Sequence, residues 1–434
     1  MTTTSAGGGE GTPDREAIGR RVAAVWRIES ARIVATLARY VGDVGLAEDL
    51  AQEALVDALA QWPGSGVPSN PGAWLTAVAK RKAIDGWRRR ERLDDRYAAI
   101  AHDLEGRVDP EAAPWDPDTI DDDVLRLVFV ACHPVLAREA QVALTLRVVG
   151  GLTSEEIARA FLIPTATVQQ RIVRAKKTLT AAHVPFEVPA RSEFPERLAS
   201  VLGVLYLIFN EGYAATSGEE WMRPELSLEA LRLARTLAEL VPTEPEVHGL
   251  VALFEFQASR FAARTTRAGE PVLLLDQDRS RWDRTLIARG RAALHRLDAI
   301  GRGRGYYALQ ASIAECHATA ARASDTDWER ISVLYEALGR LAPSPVVELN
   351  RAVAVSMAEG PATALRIVDD LVASGRLAGY HLLPSVRGEL LSRLGRVEEA
   401  RGEFLEAARL TGNERERAVL LRKADGHAPR ASSS

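Results

Sequence analysis

The chain has 434 residues, 47% of them apolar and 26% charged, with a mean hydropathy of −0.10, a balance that excludes a disordered chain or a staple-held miniprotein and allows two or three cored domains. Its two cysteines exclude a disulfide framework, and no apolar run reaches the roughly 18 residues needed to cross a bilayer, so a reducing cytoplasm is the expected compartment and no membrane partner is expected. Lys and Arg number 55 against 59 Asp and Glu, which excludes a uniformly basic body, but the charge is unevenly distributed. Seven Lys/Arg and two acids lie between Lys80 and Leu93, and four Lys/Arg with no acid between Thr165 and Ala181. Between these windows, Asp103 to Asp123 holds nine acids and one Arg.

Residues 1–15 are small, polar and Gly-rich and read as a disordered leader, because they offer too little apolar surface to offset the entropy of ordering. Over 16–95 the apolar residues Val22, Val25, Trp26, Ile33, Val34 and Leu37, then Leu46, Leu50, Ala54, Leu55 and Ala58, recur at helical spacing. The Trp62 to Pro68 stretch predicts a break, and Asn70-Pro71 opens a further helix over about 73–93. Pro and Asp dominate the acidic segment, so 96–122 is expected to be a linker rather than a helix. Four short amphipathic helices follow in 123–182, at 124–136, 140–149, 154–161 and 165–180. A long helical series occupies 190–425, and 426–434 reads as a disordered tail. No segment sustains a period of two, so the fold class is all-α.

Gly151 to Leu179 has the layout of a helix-turn-helix. Thr153 or Ser154 caps the first helix, with Glu156 completing a capping box. Thr165 is expected to cap the second, whose buried stripe is Val168, Ile172 and Ala175. Thr167, Gln169, Gln170, Arg171, Arg174 and Lys177 are left outside, a hydrogen-bonding and cationic set suited to base edges and phosphates. The plainer alternative is a solvated helix of a bundle. In the earlier basic window Lys80, Arg81, Arg88 and Arg89 are too many cations to bury together, and Trp74 and Trp87 flank them. Cations beside aromatics suit a DNA strand, whereas tryptophans packed into a core are the competing reading.

Gly45 to Trp62 (GLAEDLAQEALVDALAQW) followed by Pro71 to Leu93 (PGAWLTAVAKRKAIDGWRRRERL) resembles region 2 of the extracytoplasmic-function sigma factors of the sigma-70 family. Gly151 to Leu179 resembles their region 4, and the stretches LYLIFNEGYAATSGEE and LLLDQDRSRW look like the subgroup with a long C-terminal extension related to tetratricopeptide repeats. The resemblance implies that Asp49, Gln52 and Glu53 meet the clamp helices of the polymerase β′ subunit. It implies that Lys80, Arg81, Arg88 and Arg89 serve the −10 side of promoter DNA and the 167–177 set the −35 side. Arg81 stands where the family often carries Asn. Independently of any family, an exposed acidic and amide strip on a helix suits a basic partner helix.

Repetition supports the extension. Ile331, Ala364 and Ala400 are spaced 33 and 36 apart, with Tyr335, Val368 and Phe404 four residues after each, near the 34-residue period of helical hairpins. Cys132-His133 and Cys316-His317 lie too far apart in sequence to suggest one zinc site, and no cofactor or metal is expected. Gly301 to Gly305 (GRGRG) lacks the strand and the Lys-Ser/Thr of a phosphate loop and reads as a turn. The expected protein is therefore not an enzyme but a promoter-specificity subunit that binds RNA polymerase core and promoter DNA. Its C-terminal helical domain is expected to pack against the two sigma domains and modulate them. The alternative is a stand-alone helix-turn-helix regulator with a repeat module for dimerisation or ligand binding.

Overall fold

A computed structural model describes residues 15–91, 117–161, 163–214, 222–267 and 270–426. Among them are eighteen α-helices and four short 3-10 turns, with no strand beyond one isolated bridge between Thr265 and Pro271. The expected leader and tail lie outside the described residues apart from Arg15, which opens the first helix, and Gly426, which closes the last. The chain divides into two compact units, Met1–Val204 and Leu205–Ser434.

The first unit starts with α1 (Arg15–Val41), α2 (Val44–Ser65) and α3 (Pro71–Glu91), which pack together. Ala47, Ala51, Ala54 and Ala58 line the inner stripe of α2 with no exposed surface. Such small residues bring α2 close to α1, whose Ile33, Ala35, Leu37 and Ala38 are equally buried. Asp43 caps α2 by accepting a hydrogen bond from the Leu46 amide at 2.8 Å. The predicted break at Trp62 falls three residues late, since α2 carries Pro63 inside its last turn before Gly66, at φ +80°, closes it. A proline there removes one late amide donor without interrupting further turns.

The remaining helices of this unit are α4 (Pro117–Ala131), α5 (Arg138–Val148), α6 (Ser154–Phe161) and α7 (Thr165–Ala181). The acidic segment yields a helix from Pro117 onward, against the expectation of linker to 122. A proline at the first helical position followed by aspartates suits a helix N-terminus, where the dipole favours negative charge. The rest of the expected linker, to 116, lies outside the described residues. Helix α4 ends at Ala131 rather than Leu136, because Pro134 cannot continue it and the Leu136 amide turns back to the His133 carbonyl at 3.0 Å. A further helix, α8 (Phe194–Tyr213), opens against α4. Phe194 packs tilted against Phe129 with ring centroids 5.3 Å apart, Arg197 donates to the Phe129 carbonyl at 2.9 Å, and Ser200 donates to the Cys132 carbonyl at 3.0 Å. These contacts extend the first unit past Ala182.

The second unit continues from α8 through α9 (Pro224–Leu240), α10 (Pro245–Ala258), α11 (Arg284–Ile300) and α12 (Tyr306–Thr319). Two glycines allow close crossings of α10, α11 and α12. A Cβ on Gly249 would lie 2.7 Å from the Ala308 amide nitrogen, and one on Gly290 would lie 2.8 Å from the Phe256 ring. Then come α13 (Trp328–Leu341), α14 (Pro345–Ala358), α15 (Pro361–Ser374), α16 (Leu382–Arg393), α17 (Val397–Leu410) and α18 (Glu414–Gly426). Helices α13, α15 and α17 each have 14 residues. Ile331, Ala364 and Ala400 stand at the fourth position of each and are fully buried, as are Val368 and Phe404 one turn on. Tyr335, the remaining member of that second set, is half-buried. The repeat read from spacing is therefore a repeat of packed helices.

The Gly301 to Gly305 run is the turn between α11 and α12, with Gly301 and Gly303 at positive φ. The N-terminus of α12 is already occupied. Glu246 accepts from the Tyr307 amide at 2.7 Å and the Ala308 amide at 3.3 Å. Burial pushes its carboxyl up while those amides pull it down. Cys132 and Cys316 are both buried free thiols, and among the described residues no group of three or more His, Cys, Asp or Glu is arranged to hold a metal.

Candidate nucleic-acid interface

The helix-turn-helix forms as its sequence dictates. The Glu156 amide donates to Thr153 Oγ1 at 3.1 Å while Glu156 Oε2 accepts from the Thr153 amide at 2.8 Å, a closed capping box on α6. Ile157 and Ala158 of α6 are buried, facing the buried stripe Val168, Ile172, Ala175 and Leu179 of α7. One expectation fails. Thr165 is the first residue of α7, not its cap, and Pro164 holds the cap position with no side-chain hydrogen bond. Gln169, Gln170, Arg174 and Lys177 are exposed, while Thr167 and Arg171 are half-buried. Gln170, Arg174 and Lys177 are spaced one helical turn apart on the side away from the buried stripe, where hydrogen-bonding and cationic groups can reach base edges and phosphates.

The second cationic surface is on α3. Lys80 sits over the Tyr40 ring at 5.7 Å, and Tyr40 lies 5.4 Å from Trp87. Burial, and secondarily Arg39, hold the Lys80 ammonium below the usual lysine range. Arg81 is exposed. Arg88 and Arg89 continue the helix, but their side chains lie outside the described residues. Both tryptophans are half-buried but meet different neighbours: Trp74 packs edge-on to the buried Trp62 at 5.4 Å, whereas Trp87 lies beside Tyr40, which Lys80 also covers. Tyr40 has no neighbour in sequence that marks it, since it reaches this surface only through the packing of α1 on α3.

The acidic strip of α2 is also in view. The side chains of Asp49 and Glu53 are 66% and 60% exposed, Gln52 is half-buried, and Val56 and Leu59 add exposed apolar area on the same helix. Glu53 and Asp57 share Lys82 of α3 at 3.5 and 3.1 Å, which raises the Lys82 ammonium.

Between these surfaces the two helical sets of the first unit are joined by ion pairs that sequence reading did not foresee. Glu48 is buried, and its two oxygens accept from Arg147 Nε at 2.8 Å and Lys176 Nζ at 2.5 Å. Lys176 also donates to Asp49 Oδ1 at 2.8 Å. Burial alone would lower the Lys176 ammonium, but Glu48 and Asp49 raise it above the ordinary lysine value. Thr180 donates to the capping Asp43 at 2.8 Å, Arg27 pairs with Glu156 at 2.6 Å, and Arg39 pairs with the fully buried Asp123 at 3.1 Å. Gly151, at φ +70°, abuts Ser30, and no side chain would fit there.

Comparison with known proteins gives a consistent picture. Residues 27–93 match sigma-70 region 2, and residues 126–179 match sigma-70, region 4. Residues 197–298 match a family of unknown function, DUF6596. An uncharacterized protein of Rhizobium meliloti is 45% identical over 403 residues, covering 90% of this chain and 92% of its own length. A protein of Mycobacterium tuberculosis described as the probable ECF RNA polymerase sigma factor SigI is 32% identical over 171 residues, 38% of this chain and 57% of that protein. Among the described residues no helix is long and apolar enough to cross a membrane.

Proposed function

From a chain that belongs to the extracytoplasmic-function sigma factors of the sigma-70 family, with a large helical C-terminal extension, we propose a promoter-specificity subunit with three working surfaces. The strip Asp49, Gln52 and Glu53 of α2 docks on a basic helix of the polymerase core, the β′ clamp helices in this family. Lys80, Arg81, Arg88 and Arg89, with Tyr40 and Trp87 as stacking surface, hold the strand at the −10 side. Thr167, Gln169, Gln170, Arg171, Arg174 and Lys177 engage the −35 side. The C-terminal helices modulate both. The observation that carries this reading is the order of the two sigma regions, each presenting its cations or amides outward: Arg81 on α3, and Gln170, Arg174 and Lys177 on α7.

Reconstitution with core polymerase and run-off transcription on genomic DNA tests it. Reversing charge at Asp49 and Glu53 together is expected to abolish core binding while circular dichroism stays unchanged, because exposed substitutions seldom unfold a domain. Retained competition for core would remove α2 as the docking surface. Arg174→Ala is expected to weaken binding to the −35 site by about 1–3 kcal/mol and selectively by sequence. Lys177→Ala weakens all sequences alike and flattens the salt slope, since a phosphate contact carries no sequence information. Binding isotherms at several salt concentrations separate the two.

A further inference from the structure

Two arginines of the second unit are withdrawn from water without a carboxylate to meet them. Arg260, which follows α10, and Arg279, in the 3-10 turn Arg279–Arg281 before α11, both place a guanidinium over the Trp282 ring, at 5.5 and 4.9 Å from its centre. Arg279 is 6% exposed and Trp282 is 2% exposed. Among the described residues every hydrogen-bond partner of the two guanidiniums is neutral. Arg260 donates to Gln277 at 3.1 Å and to Gln257 at 3.3 Å. Arg279 donates to the His317 and Ala320 carbonyls at 2.7 and 3.0 Å and to Thr326 Oγ1 at 3.1 Å. The comparably buried Arg223 of the same unit pairs with Glu211 at 2.6 Å, and the half-buried Arg304 pairs with Asp298 at 2.8 Å. The one acid that acts on Arg279, Asp325, is exposed and is held by Arg322 at 3.2 Å.

A buried charge is costly unless an opposite charge balances it. The C-terminus of α12, on which Arg279 sits, carries only about half an elementary negative charge, too little for two guanidiniums. Unused polar atoms lie in the same cluster. Arg279 Nε, Trp282 Nε1 and His317 Nδ1 are buried and have no hydrogen-bond partner. The His317 carbonyl receives Arg279, and burial, with Arg260 and Arg279, pushes the His317 imidazole down to about 3. Arg260, Gln257 and His317 are half-buried rather than enclosed, so the cluster reaches the surface. We propose that Arg260, Arg279, Trp282 and His317 form a binding site in the second unit for the oxyanion of a small-molecule ligand, a phosphate or a carboxylate. The planar guanidinium matches the paired oxygens of either group, the Trp282 ring attracts both cations, and Arg279 Nε and Trp282 Nε1 are donors that no other group takes. One anion would satisfy both the missing charge and the missing hydrogen bonds. The site depends on neither the docking nor the promoter reading above.

Isothermal titration of the full-length protein tests the site, with inorganic phosphate and succinate as probes and sodium chloride holding the ionic strength constant, so that general screening does not change. Saturable binding of at least one probe is expected. Phosphate alone identifies a phosphoryl ligand, succinate alone a carboxylate, and both the shared oxyanion. Arg260→Gln removes the charge from a half-buried position and is expected to weaken binding about tenfold or more. Trp282→Phe keeps a ring but loses the N–H, for an expected weakening of about three- to tenfold. The bound probe is also expected to raise the thermal midpoint of the wild type, and not that of Arg260→Gln. If Arg260→Gln does not fold, the wild-type titration and Trp282→Phe still decide. No saturable binding of either probe by the wild type, or undiminished binding by the folded variants, overturns the inference.

Discussion

Both units have apolar cores, but the long-range joints of the first differ in kind from the helix stack of the second. In the first, residues far apart in sequence meet through charge: Glu48 with Arg147 and Lys176, 99 and 128 positions away, and Arg27 with Glu156, 129 away. In the second, each helix packs mainly on its neighbour in the chain, through fully buried apolar positions such as Ile331, Ala364, Val368, Ala400 and Phe404. Ionic joints can be competed away by another charged surface, whereas an apolar stack gains nothing from exposure to water.

The largest test of that contrast is Phe404→Ala. The ring is fully buried and lies 3.0 Å from a Cβ built on Gly388, so its removal is expected to cost about 3–5 kcal/mol. Urea unfolding followed by circular dichroism measures it, and a loss below about 1 kcal/mol would show that the stack is not the source of the second unit's stability. Next in size is acid. Burial against Trp328, with Arg260 and Arg279 nearby, pushes the His317 imidazole down from 6.5 to about 3. The unfolded chain therefore takes up its proton first, so this stability is complete above about pH 6.5 and is lost progressively as the pH falls toward about 3. At pH 5 the loss is about 2 kcal/mol, and His317→Gln is expected to flatten the dependence of the unfolding midpoint on pH. The smallest effect belongs to the first unit's half-exposed pair. Arg27→Ala is expected to cost no more than about 1 kcal/mol and less at high salt. A larger, salt-independent loss would mean that Arg27 acts through packing and would blur the contrast.

Much of both units was legible in the sequence. The capping box of Thr153 and Glu156, the buried stripe of α7 and the outward Gln170, Arg174 and Lys177 follow from spacing within one or two turns. The fourth-position burial of Ile331, Ala364 and Ala400 follows from a repeat. Boundaries were less legible where a proline has two meanings. By local composition Pro63 reads as a breaker and Pro117 as linker, yet one sits inside a last turn and the other opens a helix. Among site residues, Tyr40 and Lys176 were missed because what each does depends on a distant helix.

By itself, the sequence determined that the chain is helical, that two cationic helices flank an acidic segment, and which side of α7 faces outward. Those properties come from local periodicity and from the chemistry of neighbouring side chains. Only the tertiary structure decided that Trp74 meets Trp62 while Trp87 joins Tyr40 and Lys80, and that Glu48 is buried between Arg147 and Lys176. An acid on a helix and a lysine on another carry no sign of each other in sequence. Their pairing arises when two apolar faces pack and the charges at their rims must find partners or remain in water.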